Sequence, residues 1–179
     1  MSRLPLLSRE KLSTENQAIW DRVMSGRTGS GGPYGTLIHA PALAEKLAAV
    51  ENYFRNDAKL SATDKELVIL ATVRELDARF PWTRHEIRAR QAGLRSEVIE
   101  ALRANASLDV LTERERLVVR LARALLRERR LSDELFRRAH EELGDEQLVE
   151  VVGLVGHYNM ISTVVNSFAI AAPEGSHTF

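Results

Sequence analysis

The sequence predicts an all-α fold built as one helical-bundle domain. Three observations lead there. Apolar residues recur at helical spacing along most of the chain, Ser, Thr and Pro stand where helices would begin, and no stretch of useful length alternates apolar and polar residues as a half-buried strand must. At 179 residues, with 44% hydrophobic and 28% charged, the chain is long and apolar enough for one real core.

Taken in order, Ser13 or Thr14 can cap a first helix carrying Ile19, Trp20 and Val23 and ending at Gly26. A glycine-rich loop over 26–35 follows. Pro41 suits the first turn of a helix running to about Phe54. Ser61 or Thr63 caps the next, to about Asp77, with Leu67, Leu70, Val73 and Leu76 on one stripe. Pro81 can start a further helix that Gly93 ends. A short helix over 96–103 comes next, then one opened by Thr112, then one from Ser132 to about Leu143. Gly144-Asp145 begins a last helix to about Ala171. It is apolar nearly all round (Val151, Val152, Leu154, Val155, Met160, Ile161), so it should lie centrally or at a subunit interface. Residues 1–12 and 173–179 read as tails.

Lys plus Arg and Asp plus Glu are 25 each, so the net charge is zero. That provides no general attraction to nucleic acid or anionic membrane, and leaves self-association unopposed. There is no cysteine, which removes disulfides, thiolate nucleophiles and cysteine-ligated metal sites. The N-terminus lacks an apolar stretch of signal-peptide length, and the most apolar run, 148–172, is broken by Glu150, His157, Asn159 and Asn166. The expectation is a soluble, cytoplasmic protein without a membrane partner.

Chemistry concentrates at two residues. Glu66 is an acid inside an apolar helical run, and His85 follows nineteen residues later in Trp82-Thr83-Arg84-His85. At about 100° per residue, Trp82, His85, Ala89 and Gly93 share a face, with Arg84, Arg88 and Gln91 on the other. Imidazole is the side chain best matched to proton transfer near neutral pH. An acid/base pair and an ordinary buried hydrogen bond both fit. The glycine-rich loop lacks the Gly-Lys-Ser/Thr of a phosphate loop and reads as a connector, or as a lid on which Arg27 could clamp a carboxylate. Tyr34 and His39 could line the same pocket. His157, Tyr158 and Asn159 interrupt the last apolar helix. They either bond neighbouring helices or form a polar pocket wall facing His85. The histidines show no metal-ligand spacing. A rival reading takes 87–99 as a helix-turn-helix with Arg84, Arg88, Arg90 and Arg95 beside DNA. Glu97 and Glu100 on the would-be recognition helix, and the neutral net charge, oppose it.

The order of these motifs resembles the carboxymuconolactone decarboxylase / alkylhydroperoxidase D-like superfamily. The resemblance runs from Gly26-Arg27 and Gly32-Pro33-Tyr34 through Leu37-Ile38-His39-Ala40-Pro41, Glu66-Leu67-Val68-Ile69-Leu70 and Trp82-Thr83-Arg84-His85. It closes on Ala92-Gly93-Leu94 and Gly156-His157-Tyr158-Asn159-Met160. It implies that family's helical fold, a homo-oligomer (a trimer, or a hexamer of two trimers), and a small-molecule substrate. The peroxidase branch places two cysteines just before the histidine, where this chain has Ala78 and Pro81, so thiol peroxidase activity is disfavoured. The decarboxylase branch implies a lyase or isomerase that needs no metal or organic cofactor. His85 and Glu66 would carry the proton work, and Trp82 would wall the pocket. A non-catalytic binding protein of the same fold is the alternative.

Overall fold

The computed structural model describes residues 2–27 and 32–179; the tip of the glycine-rich loop lies outside them. Every described regular element is helical. They run α1 (Thr14–Met24), α2 (Pro33–Leu37), α3 (Pro41–Asn56), α4 (Ala62–Glu75), α5 (Arg79–Gln91), α6 (Ser96–Arg103), α7 (Glu113–Arg127) and α8 (Asp133–Ser167), with a short 3₁₀ turn over Arg9–Lys11 before α1.

The starts follow from local chemistry. The hydroxyls of Ser13, Ser61, Thr112 and Ser132 each accept a backbone N–H from the first turn of α1, α4, α7 and α8. At Thr112 the Glu115 carboxylate also accepts the Thr112 N–H, closing a capping box. Pro41 occupies the first turn of α3, where a missing N–H costs nothing. Gly144, with φ 71° and ψ 177°, breaks α8 in two where the sequence places a boundary. The loop expected over 26–35 instead contains α2, and this five-residue helix buries Tyr34, Gly35, Thr36 and Leu37.

The central element is α4, which packs against α5, α7 and α8; α7 also lies on α8, and α1 lies on α3. The core forms two clusters. The larger gathers Leu67, Leu70, Trp82, Val98, Leu121 and Leu154 around α4. The smaller joins Val23, Tyr34, Leu37, Ala44 and Leu47 to Ile161 and Val165. The second part of α8 serves both and is central, as its composition requires. Its outer face nevertheless leaves Val149 70% and Val152 41% exposed. By length and composition α8 could cross a membrane, with a mean hydropathy of 1.4 over its most apolar window. The polar residues that interrupt the run are outweighed in that average. Over half of that window (56%) is buried within the bundle, as in a core helix.

The chain ends are docked rather than free tails. The Arg3 N–H donates to the Phe168 carbonyl (2.8 Å) and the Leu7 N–H to that of Gly35 (2.9 Å). The Phe179 ring meets Trp82 edge-on at 5.3 Å, under the Arg74 guanidinium. The α5–α6 pair forms the helix-turn-helix outline, but α6 buries Val98, Ile99 and Leu102. Arg90 is paired with Glu86 and Glu100, and Arg95 with Glu97 and Glu115.

Candidate active site

Where the two core clusters meet, α4, α5 and α8 bring three polar side chains into line. The Nδ1 of His85 lies 2.7 Å from Glu66 Oε2, and its Nε2 lies 2.8 Å from the Tyr158 hydroxyl. With Glu66 ionised, Nδ1–H donates to the carboxylate, and in the neutral imidazole Nε2 accepts the tyrosine O–H. The ring is thereby fixed at both nitrogens. Burial, with the negative charges of Glu51 and Glu66, pushes the Tyr158 hydroxyl well above the usual tyrosine range. Tyr158 therefore stays a phenol and can pass a proton only as it receives one.

Two adjoining cavities open on this chain. One, of about 230 Å³, is lined by Arg27, Tyr34, Phe80, Pro81, Arg84 and His157 among others. The second, of about 320 Å³, is lined by Phe54, Lys65, Glu66 and Ile69 among others. Glu51, Arg55, His85, Arg88 and Tyr158 belong to both. The relay thus spans the partition between the two, with Glu66 facing the second cavity only.

Opposite it stands a second buried cluster. Glu51 Oε2 accepts from the Tyr34 hydroxyl (2.7 Å) and pairs with Arg27 (3.1 Å), while Oε1 pairs with Arg55. The Arg27 guanidinium lies 4.5 Å from the centre of the Tyr34 ring. Burial alone would raise the Glu51 carboxyl. Arg27, Arg55 and the Tyr34 hydrogen bond outweigh it and hold Glu51 at about 2. Burial and the Glu51 charge push the Tyr34 hydroxyl up. His157 lines the first cavity and is 6% exposed, and its buried Nε2 has no partner among the described residues. Burial pushes this imidazole below the usual histidine range, favouring the neutral ring.

The residues singled out in the sequence divide accordingly. Glu66 and His85 meet as expected, and Tyr34, Arg27 and His157 line the cleft. Arg27 is already bound to Glu51, so its charge is not free for a substrate. Trp82 is fully buried in the larger core cluster, donates its indole N–H to Glu86 (3.2 Å), and lines neither cavity. His39 is exposed and bonded to the Pro5 carbonyl (2.9 Å), and Asn159 is exposed on the far side of α8. Neither reaches the cleft. Arg84, Arg88 and Gln91, expected to face away from His85, share its cavity. His85 stands at the edge of the buried arc, one three-residue step from Trp82 on one side and from Arg88 on the other. Among the described residues no cluster suited to a metal ion occurs.

Residue reasoning missed Glu51, Arg55 and the role of Tyr158. Glu51 carried the same signal as Glu66, an acid inside an apolar helical run (Ala48-Ala49-Val50-Glu51). Tyr158 stood inside a stretch already marked as polar. Choosing it over Asn159 needed the rotation of α8, which only packing sets.

Residues 41–124 match the carboxymuconolactone decarboxylase family. No curated protein matches the sequence. Three solved structures resemble the fold. The alkylhydroperoxidase AhpD core of an uncharacterized peroxidase-related protein from Ralstonia eutropha JMP134 is 16% identical, with a TM-score of 0.80 over 97% of this chain and 93% of that one. An uncharacterized peroxidase-related protein from Silicibacter sp. TM1040 is 15% identical, with a TM-score of 0.79 over 98% and 94%. A protein of unknown function from Agrobacterium tumefaciens is 22% identical, with a TM-score of 0.68 over 77% and 95%. Ala78 is fully buried and Pro81 lies on the cavity wall, and the chain has no cysteine. A segment of this cysteine-less chain, residues 41–124, thus matches the carboxymuconolactone decarboxylase family, and nearly the whole chain shares the all-α fold of the alkylhydroperoxidase AhpD core structure.

Proposed function

We propose that this protein performs cofactor-free acid/base chemistry, decarboxylation or isomerisation, on a small unsaturated or cyclic carboxylate. The observation behind this reading is the Glu66–His85–Tyr158 chain, buried at His85 and Tyr158, half-buried at Glu66, and bordering two cavities. In the acid direction the substrate's C–CO₂⁻ bond breaks, CO₂ leaves, and the electron pair passes into the conjugated system. Tyr158 then donates its proton to carbon while His85 Nε2–H replaces it, and Glu66 stabilises the imidazolium that supplied it. An isomerisation runs the same relay first as base and then as acid, with no net proton gained. Neutral His157, beside Tyr158 on α8, offers a hydrogen bond to a substrate oxygen. Such relays contribute about 10²–10⁴-fold to a rate.

The same reading takes the protein as a homo-oligomer. Leu43, Val50 and Tyr53 on α3, with Val149 and Val152 on α8, leave apolar surface exposed and support it. Light scattering on the purified protein measures the number of copies.

The test of the activity is ultraviolet-monitored turnover of 4-carboxymuconolactone by the unmodified protein and by His85→Gln. The expected result is turnover that disappears in the variant while helicity and molecular size are kept. Equal turnover in both would overturn the role of His85. If neither turns it over, that substrate is removed and the non-catalytic binding protein becomes the better reading.

A further inference from the structure

We propose that Arg88 is the anion contact of this cleft and that it holds a carboxylate of the ligand that survives the reaction. The inference rests on the acid/base reading above and extends it to the part of the substrate that does not react. Arg88 lies three residues beyond His85 on α5, half-buried, and lines both cavities. Two of the other cleft arginines, Arg27 and Arg55, are bound to Glu51. Arg103, at the end of α6, is bound to Glu86 and Glu100. Arg88 makes no hydrogen bond or ion pair among the described residues. A guanidinium half-withdrawn from water without a counterion favours an anion, and its planar fork fits a carboxylate.

Charge in the cleft agrees. In the first cavity Arg27, Arg55 and Arg88 stand against one carboxylate, Glu51, which pairs with the first two. The buried, unpartnered Nε2 of His157 in that cavity is an independent sign that a ligand completes it, and a neutral imidazole suits a carbonyl or ring oxygen. A volume of about 230 Å³ limits the ligand to a small molecule. The class is therefore a small oxo- or lactone carboxylate.

The position of Arg88 also bears on the reaction. An ion pair stabilises a carboxylate relative to neutral CO₂, so binding the departing group at Arg88 would raise the barrier to its loss. The carboxylate at Arg88 must be the retained one. A substrate that loses CO₂ here then brings a second carboxylate, placed away from Arg88, whereas a monocarboxylate is isomerised.

The test is binding without turnover. Calorimetry would measure levulinate, a small keto-carboxylate, and uncharged levulinamide on the unmodified protein, Arg88→Gln and Arg88→Lys. We expect levulinate to bind more tightly than levulinamide. Arg88→Gln should weaken levulinate about tenfold or more and abolish that preference, and Arg88→Lys should keep part of it. Calorimetry needs no turnover, so failure of the anion contact is distinguished from failure of the acid/base reading. Unchanged levulinate affinity in Arg88→Gln, or no preference for levulinate over levulinamide in the unmodified protein, would overturn the proposal.

Discussion

Two carboxylates border the same cleft, Glu51 buried and Glu66 half-buried, each associated with a tyrosine hydroxyl, and they do opposite things. Glu66 meets an imidazole, and the tyrosine stands at the far end of that ring. Glu51 meets two guanidinium groups, and its tyrosine bonds it directly. Histidine gains and loses a proton in the working range of pH, so the first arrangement can move charge. Arginine does not, so the second is locked as an ion cluster whose carboxyl is held at about 2. Similar acids and tyrosines thus form an arrangement able to move a proton or a locked ion cluster according to the group between them. That ion clamp joins the end of α1, α2 and α3 into one wall, against which the relay can be held.

The largest effect should come from breaking the clamp. Glu51→Gln leaves Arg27 and Arg55 buried beside a neutral amide. Holding the carboxyl at about 2 instead of the ordinary 4.5 corresponds to about 3 kcal/mol, at about 1.4 kcal/mol for each pH unit. A fall in urea-unfolding free energy of that order at neutral pH is expected. The sign with pH is fixed, since a depressed carboxyl contributes stability that is complete above 4.5 and is lost as pH falls towards about 2. Glu51→Gln should therefore lose less stability on acidification than the unmodified protein. Parallel losses in the two would contradict the clamp.

Tyr158→Phe acts on the relay. It removes the hydroxyl that faces both His85 and the cavities while keeping the ring. Turnover should drop about 10–100-fold, equivalent to about 1.4–2.8 kcal/mol in the barrier. Stability should fall by only about 1 kcal/mol, from the unpaired Nε2 of His85. Turnover within a factor of two of the unmodified protein would remove Tyr158 from the proton path.

A smaller effect is expected at Gly32, which adopts φ +47° beside the cavity. A Cβ there would stand 2.4 Å from Cζ of Phe80, itself a lining residue. Gly32→Ala should cost about 1–2 kcal/mol and weaken ligand binding as the phenyl ring is displaced. Thermal melting and levulinate titration of the one variant would measure both. The smallest change is Tyr34→Phe, which removes one of the hydrogen bonds to Glu51 while both arginines stay. A loss of about 1 kcal/mol, with turnover nearly unchanged, would mark the clamp as structural. A drop as large as that of Tyr158→Phe would erase the contrast between the two carboxylates.

Much of this was legible before any tertiary contact was known. Ser13, Ser61, Thr112 and Ser132 mark helix starts because an N-cap hydroxyl serves its own first turn, a strictly local interaction. Gly144 marks the break in α8 because its backbone angles are costly for other residues. The α2 helix was hidden, since its Pro and Gly read as loop and the burial of Tyr34 and Leu37 stabilises it from outside. Glu66 and His85 stood out as an acid in an apolar run and an imidazole nineteen residues on. Trp82 was misplaced as a pocket wall because periodicity separates a buried arc from an exposed one, but does not say where along the buried arc a cavity opens.

The sequence by itself determined the helical class, most helix boundaries, the lack of thiol chemistry and the candidacy of Glu66 and His85. These depend on hydrogen bonds within one turn, on residue type, or on residues close together in the chain. Only the tertiary structure decided that Tyr158, seventy-three residues beyond His85, completes the relay. It also decided that Glu51 takes the charge of Arg27 and Arg55 while Arg88 is left facing the cleft. The reason is geometric. Which side chain a helix turns towards a distant neighbour depends on the rotation and depth at which the helices pack. Those are set by the fit of the whole core rather than by any local stretch of chain.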